Sequence, residues 1–159
     1  MKRLILFVLI LLTVGAQAKL GETLEEIEAR YGKPISIPPA NEKVPLEHRL
    51  YKANAYQIMV VYVDKKSAME QMVIPQDSTN QISVAQAKAF AGAVTGVKEW
   101  TFLKDNYHWR GGEYTLGLTT NQRIATVLGK TYLTAQAAAK KQMSKDAKAI
   151  EDAFGGSPK

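Results

Sequence analysis

Apolar residues recur at three- and four-residue spacing in three stretches of this chain, and β-prone runs of four to eight residues fill much of the space between them. The first helical stretch carries Leu24, Ile27 and Tyr31 on one side. Thr23 precedes it and Glu26 follows three residues later, the spacing of a capping box, while Gly32 and Lys33-Pro34 supply the stop. Ile35 to Pro45 has no apolar period and holds several prolines, so it reads as an extended surface connector. A β-rich block follows at Glu47–Lys52, Tyr56–Val63 and Ala68–Ile74, broken at Ala53-Asn54 and Asp64 to Ser67. In Tyr56–Val63 both faces are apolar, which predicts the best-buried strand of this half.

The pattern then repeats. Ser83 and Gln86 form a second capping box ahead of Val84, Ala87, Ala91 and Val94, with Gly96 as the stop. Four further runs follow: Glu99–Leu103, Tyr107–Arg110, Glu113–Thr119 and Arg123–Leu128. Gly111-Gly112 and Asn121-Gln122 mark turns. Tyr114, Leu116 and Leu118 alternate with Glu113, Thr115, Gly117 and Thr119, so this strand has a buried face and a wet one, and Gly117 marks a bulge or close packing. Thr134–Phe154 is rich in alanine and lysine: Ala135, Ala139, Met143, Ala147, Ile150 and Phe154 share one side, and Lys141, Lys145, Lys148 and Asp152 the other. Its stripe is mostly methyl groups, which predicts weak docking except at Ile150 and Phe154.

The expectation is an α+β fold: short helices followed by antiparallel β-meanders, with a C-terminal Ala/Lys-rich helix. Residues 19–133 make one domain, built as two helix-plus-meander half-units at 21–75 and 82–133, and 134–159 hold the last helix and a short tail.

The start of the chain changes where that domain is expected to work. Met1-Lys2-Arg3, the apolar run Leu4 to Val14 and the small residues of Ala16-Gln17-Ala18 have the layout of a cleavable secretory signal peptide over residues 1–18. The apolar run is too short to span a bilayer. There is no cysteine, so the chain lacks both the residue that would bear a lipid and any disulfide framework. The product is expected in the periplasm or outside the cell, soluble and not lipid-anchored, with a net charge of about +4 once Lys2 and Arg3 are removed. That modest charge favours anionic envelope surfaces and argues against nucleic acid.

Gly21-Glu22-Thr23, before a short helix ending in Tyr31-Gly32-Lys33-Pro34 and followed by antiparallel strands, resembles the opening of small envelope domains of the SmpA/OmlA and β-lactamase-inhibitor-protein-like type. The resemblance implies a helix-plus-meander unit, sometimes in tandem, that binds other proteins. The chain departs from the lipoprotein members in lacking the lipid-bearing cysteine, and from the inhibitor in lacking its disulfides, and no functional residue carries over.

Candidate chemistry is sparse. His48 and His108 lack metal-ligand spacing, and no Gly-x-Ser-x-Gly elbow, Ser-x-x-Lys pair or cysteine nucleophile is present. The carboxylate pairs Glu25/Glu26, Glu151/Asp152 and Asp105/Glu113 read as capping or solvated groups. No catalytic residue, metal or cofactor is assigned. Aromatic residues concentrate at Trp100, Phe102, Tyr107, Trp109 and Tyr114, interleaved with Lys104, His108 and Arg110. They either fill the second sheet's core or anchor a partner. Trp109 and Arg110, beside a turn, are expected to be exposed, and with Tyr107 they are the candidate contacts of a non-catalytic binding module for another envelope protein. Two alternatives stand beside it: attachment to anionic envelope polymer or membrane through the lysines of the last helix, and an enzyme of unrecognised type.

Overall fold

A computed structural model describes residues 19–103 and 107–154, with side chains as far as 149. Residues 1–18, where a signal peptide is expected, Lys104, Asp105, the side chains of Ile150, Glu151, Asp152 and Phe154, and the tail after 154 lie outside the described residues. The elements run α1 (Leu24–Tyr31), β1 (His48–Ala53), β2 (Tyr56–Val63), β3 (Lys66–Val73), α2 (Val84–Thr95), β4 (Thr101–Leu103), β5 (His108–Gly111), β6 (Tyr114–Leu118), β7 (Ile124–Leu128) and α3 (Lys130–Phe154). The strands form one antiparallel sheet in the order β1-β2-β3-β7-β6-β5-β4. α1 and α2 are each followed by a meander, and the last strands of the two meanders meet at mid-sheet, with Met69 opposite Leu128 and Val73 opposite Ile124. The second meander has four strands and the first three, so the half-units share element order but not strand number.

Both capping boxes close reciprocally. The Thr23 amide donates to Glu26 Oε2 at 2.8 Å and the Glu26 amide to Thr23 Oγ1 at 3.4 Å; Ser83 and Gln86 exchange the same bonds at 2.9 and 3.2 Å. These bonds satisfy amides that the first helical turn leaves free. Gly96 takes the left-handed conformation, φ 73°, in which its amide reaches the Gly92 carbonyl at 2.8 Å and ends α2.

α1 and α2 lie on one face of the sheet. Ile27 of α1 and Ala87, Ala91 and Val94 of α2 pack with Ile58, Val60, Tyr62, Met72, Leu116, Leu118 and Val127 into the main core. The alanines let α2 approach closely, and the core is finished by the hydroxyls of Tyr51 and Tyr62 bonded to each other at 2.8 Å. α3 lies on the opposite face, over β2 and β3, where Tyr132 packs with Val61, Ala68 and Met69.

Three features depart from the sequence reading. α3 begins at Lys130, four residues before the expected start, and its anchor is Tyr132, a residue outside the predicted stripe. Ala135, Ala139 and Met143 continue the contact as half-buried positions, and Ala147 is exposed. β3, which lies at mid-sheet between β2 and β7, carries more buried positions than β2, so the expectation that β2 is the best-buried strand of this half is corrected. The connector after α1 is not merely surface: the Ile35 amide donates to the Leu50 carbonyl at 2.7 Å and Leu50 returns a bond to Ser36 at 2.9 Å. That bridge shields the outer edge of β1, which would otherwise offer open backbone groups.

β3 also carries a buried charge. Glu70 is 0% exposed and accepts from the Tyr31 hydroxyl at 2.8 Å and from Arg30 Nη2 at 3.0 Å. Arg30 also pairs with Glu22, so the segment before α1, the end of α1 and the middle of the sheet share one polar knot. Burial pushes the Glu70 carboxyl above its ordinary range, and Arg30 pulls the other way.

Candidate functional site

Strand alternation decides where the candidate contacts go, because successive side chains leave opposite faces of a strand. In β5, Trp109 points to the helix side with its cross-strand partners Phe102 and Leu116, while His108 and Arg110 point to the other side. Trp109 is 4% exposed, which corrects the expectation that it is a surface contact. Its ring packs against Phe102 at 5.7 Å between centroids, with Lys88 Nζ 5.6 Å from its centre. Trp100 lies over Gly111, where a Cβ would come within 2.6 Å of Val97 and 3.0 Å of Trp100. Gly111 is therefore the last residue of β5 rather than part of the turn, which is Gly112-Glu113. Of the five aromatic residues, Trp109 lies in the main core and Trp100 packs against it. Phe102, 57% exposed at the β4 edge, and Tyr107, 37% exposed with φ 62°, reach solvent.

Arg110 is exposed, and it belongs to a different surface. The paired registers place Thr101, Arg110, Thr115 and Leu128 in one row across β4, β5, β6 and β7, and Leu103, His108, Gly117 and Thr126 in the next. α3 reaches these rows only at Leu128, which packs against the Tyr132 cluster, because the chain turns at Gly129 and the helix runs back over β3 and β2. What remains is an open groove of about 610 Å³ lined by His108, Thr115, Gly117, Thr126, Leu128 and Leu133. Leu133, on the first turns of α3, forms its wall and is 50% exposed. The floor is flattened by Gly117, over which the His108 ring lies so closely that a Cβ would come within 3.2 Å of it. Gly117 therefore marks close packing, and the register on both its sides runs without a bulge. The irregularity falls instead between Val61 and Tyr62.

Chemically this surface offers threonine hydroxyls and methyls, two leucines and a guanidinium, and Arg110 is the one fixed charge among the described residues of those two rows. His48 lies at the far side of the sheet, five strand spacings or roughly 24 Å from His108. Its ring is buried, with Nδ1 3.0 Å from the Leu46 carbonyl, which can only accept. Among the described residues no three His, Asp or Glu side chains gather as a metal site would require.

Arg49 pairs with Glu47 at 3.0 Å and Glu28 at 3.6 Å and lies over the Tyr62 ring at 5.9 Å. Lys141, Lys145 and Lys148 are exposed on the outer side of α3, as the helical spacing predicts. No described helix is long and apolar enough to cross a membrane.

The sequence reading missed the groove because its wall, Leu133, comes from α3, five residues beyond the end of β7. The wet face of Thr115, Gly117 and Thr119 was the available signal, together with the rule that neighbours in one strand cannot share a face. No protein-family model and no curated protein matches the chain. Among solved structures it is similar to a cysteine-rich secretory protein from Staphylococcus aureus subsp. aureus Mu50, at 10% identity and a TM-score of 0.43, over 76% of this chain and 47% of that one. The chain thus spans about half the length of that structure.

Proposed function

We propose that the chain is a non-catalytic protein-binding module of the bacterial cell envelope, exported by a cleavable signal peptide over residues 1–18 and neither lipid-anchored nor bound to nucleic acid. It recognises another envelope protein through the open half of its sheet. The observation that carries this reading is the groove of about 610 Å³ between β5–β7 and Leu133, left bare by a helix that covers only the other half. Its mixture of apolar walls and hydroxyl floor suits a protein surface. The partner presents an apolar side chain to Leu128 and Leu133 and a carboxylate to Arg110, the charge on that face. The helix-plus-meander resemblance of Gly21 to Pro34 favours the same class of function. Tyr107 flanks the groove as a secondary contact, and Trp109 supports it from beneath.

A second reading has its own observation: the exposed Lys141, Lys145 and Lys148 form a cationic stripe that suits an anionic polymer or membrane surface. Retention of envelope material by purified protein at low and high salt separates the two, because exposed charges are screened. Under the first reading one protein survives high salt, is lost with Arg110→Glu and Leu133→Asp, and is kept when all three lysines become glutamate. Loss with the lysine variant and with salt would favour the second reading and overturn the first.

A further inference from the structure

The two faces of β6 and β7 are built in opposite ways. On one face the large Leu116, Leu118 and Val127 share the core with Ala87 and Ala91 of α2, so the sheet supplies bulk and the helix supplies small residues. On the other face the same strands present Thr115, Gly117 and Thr126 to the groove. Small residues on a floor leave room for large ones on whatever covers it. β5, β6 and β7 each have a hydrogen-bonded neighbour on both sides, so their backbone groups are already spent in the ladder. The Thr126 hydroxyl also accepts a bond from Gln71 Nε2 at 2.9 Å. An extended segment buried on this face would find few partners for its own amides and carbonyls, whereas a helix pairs them internally.

Resting on the reading of the groove as a protein-binding site, we infer that its occupant is an amphipathic helix of the partner, laid over β6 with large apolar residues toward the floor and Leu133 and with Asp or Glu toward Arg110. The width fits. Arg110 on β5 and Leu128 on β7 stand in one row two strand spacings apart, about 10 Å, and a helix with its side chains is about 10–12 Å across. Arg110 is exposed on the side of that row away from the apolar wall, so the carboxylates belong on the flank of the helix opposite Leu133. A second copy of this chain offers no such helix among its described elements. α3 carries alanines and the exposed Lys140, Lys141, Lys145 and Lys148, which are small where the floor is small and cationic where Arg110 is cationic. α2 is spent on the main core, and α1 has eight residues.

The test maps where the partner touches the groove. A photo-reactive amino acid is placed at Thr115, Thr126 and Leu133 of the full chain in cells, and the partner residues joined to it are located by mass spectrometry. They are expected within one stretch of about four turns, at spacings of three, four or seven. A synthetic peptide of that stretch should bind the purified chain and gain helical circular dichroism on binding. Changing its acidic residues to lysine should weaken binding at least tenfold, and Arg110→Glu should restore it. Thr115→Trp, which fills the floor, should also weaken binding at least tenfold while the domain keeps its own dichroism. Joined residues at alternate positions, or a peptide that binds without becoming helical, would overturn the helix and leave a protein-binding groove. Failure of the charge swap would overturn the acidic flank. Joining to a second copy of this chain would overturn the choice of partner, and no protein joined from any of the three positions would overturn the protein-binding reading and this inference together.

Discussion

Replacing Glu70 by alanine tests whether the buried knot, rather than apolar packing alone, fastens α1 to the sheet. Its carboxylate is 0% exposed and takes a bond from Tyr31 at 2.8 Å and one from Arg30 at 3.0 Å. Removing one partner of such a pair costs about 3–5 kcal/mol, because the group left behind keeps its desolvation penalty without its counter-charge. Arg30 retains Glu22 and some access to water, which places the loss near the lower end, about 3 kcal/mol. For a domain of this size that lowers Tm by roughly 10 °C. Urea unfolding followed by circular dichroism measures it. Glu70→Gln keeps the shape and an acceptor for Tyr31, and should lose less than the alanine variant. A Glu70→Ala loss below about 1 kcal/mol would refute the reasoning and leave α1 held by Ile27 and Leu24 alone.

Trp109→Ala removes a buried side chain and should cost about 3–5 kcal/mol, whereas Arg110→Ala should stay within about 0.5 kcal/mol by the same urea titration, although the two are adjacent in sequence. Gly111→Ala forces a Cβ to within 2.6 Å of Val97 and should destabilise by about 1–3 kcal/mol, with a chemical-shift change at the Trp100 indole. Bonds from Thr23 hold the Glu26 carboxyl below its ordinary range, so the α1 cap is fully formed above the usual carboxylate pKa and is lost as pH falls through the lowered one. Amide protection at the start of α1, taken relative to the intrinsic exchange rate at each pH, should fall on acidification, and Glu26→Gln should remove that pH dependence.

The elements were largely legible. Both capping boxes, the stop at Gly96 and the limits of β2 follow from local chemistry that needs no tertiary contact. Burial was harder where a neighbour far along the chain sets it. Glu70 reads as a solvent-facing residue until Arg30 and Tyr31 arrive from α1, and Tyr132 reads as the loop before a helix until Val61 and Met69 supply its pocket. The candidate site failed in an instructive way. Trp109 and Arg110 were grouped because they are neighbours beside a turn, but the two-residue period of a strand sends one into the core and the other onto the open face. A grouping by alternate residues would have joined Arg110 to His108 and, through the sheet, to Thr115.

The central claim is that the bare half of the sheet is where a partner sits. A photo-reactive amino acid placed in living cells at Thr115, Thr126 and Leu133 on that face, and at Glu25, Ile37 and Lys88 on other surfaces, tests it directly. The account predicts one envelope protein crosslinked from the first three positions and not from the last three, and lost when Arg110→Glu is added. Crosslinks to the same protein from Glu25, Ile37 or Lys88 but none from the groove would contradict it.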